Sequence, residues 1–305
     1  MSRHAQATDV TVLGAGRMGS ALVRAFRLAG RKVTVWNRDG AKAQALAPTG
    51  ARPGDDLAAA VAASPVIVVC VSDYATSSDL VDAVAGVLGG RSVVQLTTGS
   101  PADAEAFSER VARAGAESLD GAVMAYPKQV GHTSCRILLS GDRALHDRLR
   151  PLLDALGRPT FMGDRAGAAS AVDGALLFHA QATAFAYFQS TALLMAQGYD
   201  WQGLADLIGT SQVTADSLKS FEAAISARTH AGTEATLDVH FAAFQGIAAV
   251  ADRSASRQPL MNAMEAHFER AVALGHGDDE LSSVFETFRP PVAERADVAL
   301  RLSVS

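Results

Sequence analysis

Apolar and polar positions are arranged in two different ways along this chain. Up to about residue 165, short apolar and β-branched runs recur: DVTVL at 9–13, KVTVW at 32–36, VIVVCV at 66–71, VVQL at 93–96 and ESLDGAVM at 117–124. Each reads as a strand, RILLS at 136–140 as a further one, and Ala-rich stretches of helical spacing separate them. Strands alternating with helices predict βαβ units and a parallel sheet, and runs without polar interruption predict helices on both of its faces. Cys70 falls inside one such run and reads as a core residue. In the first helical stretch Ala21, Leu22, Ala25, Phe26 and Ala29 share a stripe, and Gly30 supplies the stop. Ser100-Pro101-Ala102-Asp103 joins a capping hydroxyl, a proline suited to the first helical position and an acid for the first turn, so a helix starts there.

Beyond residue 165 the alternation stops. Gly167 to Gln197 holds no proline and is apolar around nearly its whole circumference. That predicts one helix of ~30 residues, ~45 Å long and buried along its length. Residues 201–305 read as helices without strand alternation. The predicted fold class is α/β: a Rossmann-type parallel sheet in residues 1–164, an interdomain helix at 165–197 and an all-α domain at 198–305. A helix so long and apolar needs more cover than one small domain provides, so a homodimer is expected.

Composition narrows the partners. The chain has 305 residues, 49% hydrophobic and 19% charged, with a net charge of −5. Mild acidity without a Lys/Arg cluster argues against nucleic acid and against an anionic membrane surface. The apolar stretch at 166–197 carries Asp173, His179, Gln181, Thr183 and Gln189, too many polar groups for a bilayer span. Two cysteines make no disulfide framework, and the first nine residues lack the apolar core of a signal peptide, so a cytoplasmic protein is expected. The eight histidines show no metal-ligand spacing, and neither a nucleophile elbow nor a P-loop is present, so no metal site is predicted.

One loop does carry chemistry. Gly14-Ala15-Gly16-Arg17-Met18-Gly19 follows a strand and opens a helix, with a second strand completing the unit. In a dinucleotide site Gly14 permits the tight turn, Gly16 lets backbone approach a pyrophosphate, and Gly19 lets helix and strand pack closely. The helix start, with Arg17 and Met18, offers free N–H groups to the phosphates. The end of the second strand selects the cofactor. An NAD site places a carboxylate there for the ribose hydroxyls, but this chain has Trp36-Asn37-Arg38. Arg38 can stack on adenine and pair with a 2′-phosphate, and Lys42 one turn on adds charge, so NADPH is expected. Asp39 suits this only if it turns away from the phosphate. Val71 and Ser72, at the end of the third strand, join the cofactor set. Thr97 and Thr98, beyond the fourth, are placed at the nicotinamide end.

At this point the chain resembles the imine reductases and reductive aminases, relatives of the β-hydroxyacid dehydrogenases. VTVLGAGRMGSALVRAFRLAG followed by VWNRDGAKA carries the likeness at the start. VVCVSDY, QLTTGSPADA, LDGAVMAYP, ILLSGD, GAASAVDGALL and GHGDDELSSVFETF continue it in order over nearly the whole length. The resemblance implies an NADPH-binding Rossmann domain, a long interdomain helix and a helical domain exchanged between two subunits, with the active site completed by the partner. Reducing C=N needs a hydride and a proton, and a carboxylate near the nitrogen can steady the iminium cation or deliver the proton. Asp173 is the only carboxylate between Ala166 and Tyr199, where neither Lys nor Arg occurs. So apolar a setting demands a partner or a raised pKa, and the resemblance makes this position catalytic. Met124, Tyr126 and Leu177 are expected to line the substrate side, with Tyr126 a secondary donor. Gln181 falls where reductive aminases often have tyrosine, and His240 where the family places a polar cleft residue from the partner subunit. The segment Thr210-Ser211-Gln212 lacks the tryptophan of some reductive aminases.

Two other readings stand beside this one. An NADP-dependent carbonyl or β-hydroxyacid dehydrogenase would carry a catalytic lysine early in the long helix, yet no lysine lies between Lys128 and Lys219. A non-catalytic NADPH-binding regulatory protein would have no need of Asp173.

Overall fold

A computed structural model describes residues 7–231 and 235–289, with backbone alone at 212–215. Residues 290–305 of the expected helical domain lie outside the described residues. The chain divides into two compact units, the first ending at Phe178 and the second beginning at His179.

The first unit is built on an eight-stranded sheet: β1 (Val10–Leu13), β2 (Val33–Trp36), β3 (Arg52–Pro53), β4 (Val66–Val69), β5 (Ser92–Gln95), β6 (Glu117–Met124), β7 (Arg136–Gly141) and β8 (Arg158–Phe161). The order is β3-β2-β1-β4-β5-β6-β7-β8. Every pair is parallel except β6 with β7, where Met124 faces Arg136 in antiparallel register. The fully parallel sheet expected from the pattern is therefore a mixed one. The connection at 125–135 carries only the 3-10 turn Pro127–Gln129, too short for the helical crossover that parallel strands need. β3, only two residues long, and β8 escape the pattern because each contains a proline and lacks an apolar run, and both lie at sheet edges, where a missing donor is tolerated.

Alternate residues of the central strands feed two cores. Val10, Val12, Val66 and Val68 join Leu22 and Phe26 of helix α1 (Arg17–Leu28), whereas Leu13, Ile67 and Val69 join Val81, Phe107 and Val111 on the other face. Burying both faces explains the near-unbroken apolar runs. α1 ends at Leu28, so Ala29 is exposed instead of completing the expected stripe, and Gly30 stops the helix at φ +77°. The helix Pro101–Arg113 starts where expected: the Ser100 hydroxyl accepts from the Asp103 N–H, and the Asp103 carboxylate accepts from the Ser100 N–H at 3.0 Å.

The long helix runs from Ala168 to Ala196, 29 residues. Its burial differs from the expectation: Ala168, Ala169, Ser170 and Asp173 are buried, but Leu176, Leu177, Phe178, Phe185 and Phe188 are exposed. The first turns lie on a surface made by Ala122, Leu138 and Met162, and that surface extends no further along the helix. The second unit is helical among its described residues, with Leu237–Arg253 and Pro259–Ala273 packed through Phe244, Ala248, Met261 and Phe268. Phe241 stacks on Phe268 with ring centres 5.4 Å apart. No helix among the described residues is long and apolar enough to cross a membrane.

Candidate active site

The sheet order reverses between β1 and β4, and the crevice beyond their carboxyl ends is where open α/β sheets bind ligands. A cavity of about 630 Å³ occupies that place. Gly14 makes the turn out of β1 at φ +109°, and a Cβ there would stand 2.1 Å from the Cys70 carbonyl oxygen. A Cβ on Gly19 would stand 2.1 Å from the Gly14 carbonyl oxygen. Both are demanded by the protein's own packing. Gly16 is different: its Cβ would meet nothing within 4 Å. It caps α1 without a side-chain bond, so the first N–H groups of that helix remain available to an anion.

The predicted cofactor residues assemble here. Gly14, Gly16, Arg17, Met18, Gly19, Asn37, Arg38, Lys42, Val71 and Ser72 all line the cavity. Asn37 also holds the loop: its side-chain oxygen accepts the Ala15 N–H at 3.0 Å and its amide donates to the Asp39 carbonyl at 3.0 Å. Asp39 also lines the cavity, but its carboxylate is engaged as the cap of helix α2 (Gly40–Gln44), accepting the Ala41 N–H at 3.2 Å. Cys70 follows β4, packs against the core as expected and also lines the cavity, and burial pushes its thiol up to about 11. Thr97 is buried behind this wall, where its hydroxyl accepts the Val71 N–H at 3.1 Å. Thr98 is exposed, and neither threonine is among the cavity-lining residues. An uncapped helix start, an open position at Gly16 and two cationic side chains at the β2 end form a cradle that fits a phosphorylated dinucleotide.

Asp173 stands one turn into the long helix and is 8% exposed. Burial raises the pKa of its carboxyl, and the charge of Asp120 raises it further. Asp120, in the middle of β6, is a residue that sequence reasoning passed over. Its carboxylate accepts the Tyr74 hydroxyl at 2.6 Å, the Ser170 N–H at 3.1 Å and the Ser170 hydroxyl at 3.0 Å. The Ser140 hydroxyl, 3.4 Å away, in turn accepts the Ala169 N–H at 3.0 Å. An aspartate inside an apolar strand was the available signal, since a buried carboxylate requires partners.

The remaining predicted residues take varied places. Met124 packs against the cluster of Ala122, Leu138, Met162, Ala168 and Ala169, under the start of the long helix. Tyr126 is 75% exposed and opens the Pro127–Gln129 turn, its N–H donating to the Gln129 side chain at 2.8 Å. Leu177 and Gln181 follow Asp173 by one and two turns and are exposed. His240, half-buried, lies in the first turn of the Leu237–Arg253 helix in the second unit.

Comparison with known proteins decides the family. Residues 9–163 match the family described as the NAD binding domain of 6-phosphogluconate dehydrogenase, and residues 165–290 match the NADPH-dependent reductive aminase-like C-terminal domain. A solved imine reductase from Myxococcus stipitatus, in complex with NADP+, is 37% identical, with 92% of this chain and 100% of that chain covered at a TM-score of 0.87. This chain belongs to the imine reductase and reductive aminase family. A reductive aminase from Aspergillus terreus, solved with NADPH and ethyl-5-oxohexanoate, is 29% identical, with 93% and 100% of the two chains covered and a TM-score of 0.88. The NADPH-dependent reductive aminase of Aspergillus oryzae is 29% identical over 95% of this chain and 98% of its own length. Within this family fold, the glycine loop and Asp173, near the start of the long helix, both belong to the first compact unit.

Proposed function

We propose that this member of the family reduces a cyclic imine or iminium ion to the amine with NADPH, and that Asp173 handles the proton at the substrate nitrogen. NADPH, when bound, supplies the hydride. Gly16 and the start of α1 receive its pyrophosphate, and Arg38 with Lys42 meets the 2′-phosphate. Asp173 donates to the developing amine nitrogen, or steadies the iminium charge when ionised. Met124 and Leu177 shed water from the reacting carbon, Tyr126 contributes a polar contact on the substrate side, and His240, expected from a second copy of this chain, adds another. We place Thr98, exposed beyond β5, at the nicotinamide end, and Thr97 supports it by holding the Val71 backbone.

The observation that carries this reading is Asp173: a buried acid whose surroundings favour its protonated form, on a helix without a lysine. A hydroxyacid dehydrogenase would need that lysine. The test is oxidation of NADPH, followed at its absorbance band, against five- to seven-membered cyclic imines. Turnover of at least one imine is expected, and turnover of hydroxyacids but of no imine would overturn the proposal.

Arg38 gives a separate check. A charge-assisted bond is worth ~1.5–3 kcal/mol, so Arg38→Ala is expected to weaken NADPH binding roughly 10- to 100-fold. NADH binding, which loses only the adenine stacking, should weaken less. Equal losses for the two cofactors in a fluorescence titration would remove Arg38 from the phosphate site.

We read the exposed apolar face of the long helix as covered by a second copy of this chain. Phe178, Phe185 and Phe188 are too large and too closely spaced to be left in water. A homodimer is expected by light scattering, and a stable monomer would refute it. Cys70 and Cys135 are unpaired, in keeping with a reducing compartment, and we place the enzyme in the cytoplasm.

A further inference from the structure

Four elements send polar side chains to one buried point in the first unit. Tyr74 opens the helix Tyr74–Ala83, two residues beyond the cavity-lining Ser72. Asp120 comes from the middle of β6, Ser140 from β7 and Ser170 from the first turn of the long helix. All four are buried: Tyr74 6%, Asp120 5%, Ser140 0% and Ser170 3% exposed. The two oxygens of Asp120 together receive Tyr74 Oη, Ser140 Oγ, Ser170 Oγ and the Ser170 N–H.

The backbone is shaped to allow this meeting. A Cβ on Gly99 would stand 2.3 Å from the Tyr74 ring, so glycine there makes room for the ring to reach Asp120. Phe107 holds the ring edge-on at 5.8 Å. Gly167, at φ +90°, lets the chain enter the long helix against Pro101, whose carbonyl oxygen would lie 2.6 Å from an added Cβ. Ser170 and Asp173 are three residues apart, neighbours on one helical face. A group that clamps Ser170 through both N–H and hydroxyl therefore fixes the rotation of the helix at Asp173.

Given the role of Asp173 proposed above, we infer that Asp120 is a positioning residue for the reduction: through Ser170 it sets the place of Asp173, and through Tyr74 it joins that place to the loop lining the cofactor cavity. Its charge acts in the same direction, since Asp120 is the second cause, after burial, of the raised Asp173 pKa. Tyr74, itself held strongly toward its protonated form by burial and by Asp120, stays a donor, and Asp103 is a weaker negative charge facing the same ring.

The experiment compares the full-length parent with Asp120→Asn, Ser170→Ala and Asp173→Asn on one cyclic imine at saturating NADPH. Asp120→Asn keeps an oxygen for Ser170 but removes the charge. Its kcat is expected to fall roughly 10- to 100-fold, the cost of misplacing a reacting group, while the Kd for NADPH stays within about twofold. The alkaline decline of kcat should also move to lower pH, because Asp173 then gives up its proton more readily. Ser170→Ala should lower kcat in the same sense with less movement of the pH profile.

Folded Asp120→Asn and Ser170→Ala proteins with parental kcat and an unmoved profile would overturn the inference. So would a lowered Tm with kcat and profile unchanged, which is what a purely structural aspartate predicts. If Asp120→Asn does not fold, Ser170→Ala and Tyr74→Phe decide by the same readouts. Asp173→Asn separates the two levels: if it retains turnover, the reading of Asp173 itself is wrong. If it is inactive while the other variants behave as parent, only the role of Asp120 falls.

Discussion

Asp173→Asn is expected to lose about 100- to 10,000-fold in turnover of a cyclic imine, the range typical of removing a positioned general acid, and to keep its affinity for NADPH. The substitution preserves shape and removes the exchangeable proton and the charge. Cofactor binding should survive because the cavity is walled by the glycine loop, the β2 end and the turn after β4, and Asp173 is not among its lining residues. The pH dependence follows from the direction of the shift. Burial and Asp120 raise the Asp173 pKa, so the acid form persists above the ordinary carboxylate range, and parental kcat should decline as pH rises through the raised value. Stability moves in a linked way. A carboxyl whose pKa is higher folded than unfolded binds more protons in the native state, so it lowers stability as pH rises between the two values. Asp173→Asn removes that penalty and should have an equal or higher Tm at neutral pH. Such an exchange of stability for activity is common where a buried charge serves chemistry. Stopped-flow turnover and a thermal melt on the same preparation check both halves, and near-parental rates would refute the assignment.

Gly19→Ala and Gly16→Ala should separate folding from binding within one loop. At Gly19 the new methyl would stand 2.1 Å from a backbone carbonyl oxygen, which cannot swing aside as a side chain can. Overpacking of this kind costs ~3 kcal/mol, so a Tm roughly 6–12 °C lower is expected, and NADPH binding fails with the loop. At Gly16 the methyl meets no protein atom within 4 Å, so Tm should stay near the parent's. It projects where the pyrophosphate must approach, and loss of one charge-assisted N–H bond predicts about 10- to 100-fold weaker NADPH binding. Differential scanning calorimetry with cofactor titration reads both. Equal Tm losses in the two variants would show that Gly16 serves the fold and not the ligand.

What could be read along the chain, and what could not, follows from the range of the forces involved. The places of β1, β2, β4, β5 and β6, the α1 stop at Gly30 and the capping box at Ser100 are local features, set by residues within a few positions of each other, although β4 ends at Val69 and not with the apolar run at Val71. The glycine loop was equally legible, because turn, helix start and strand are contiguous. β3 and β8 were not, since each gains its strand character only from the neighbour it pairs with at a sheet edge. The reversed direction of β7 depended on the length of the 125–135 connection and not on any residue pattern within the strand. Thr97 carried the right strand end but a different duty, holding Val71 instead of facing the cavity, a distinction made by a single hydrogen bond across two strands.

By itself the sequence determined the doubly wound first unit, the cofactor loop with its cationic strand end, and one isolated acid in a long apolar helix, because periodicity, turn chemistry and charge are properties of neighbours in the chain. Tertiary structure alone decided that the helix is buried only over its first turns, that Cys70 faces the cavity, and that Asp120, some fifty residues from Ser170, holds the start of that helix. Those outcomes depend on which distant segments share a surface, and no local pattern encodes the partner that a buried polar group will find.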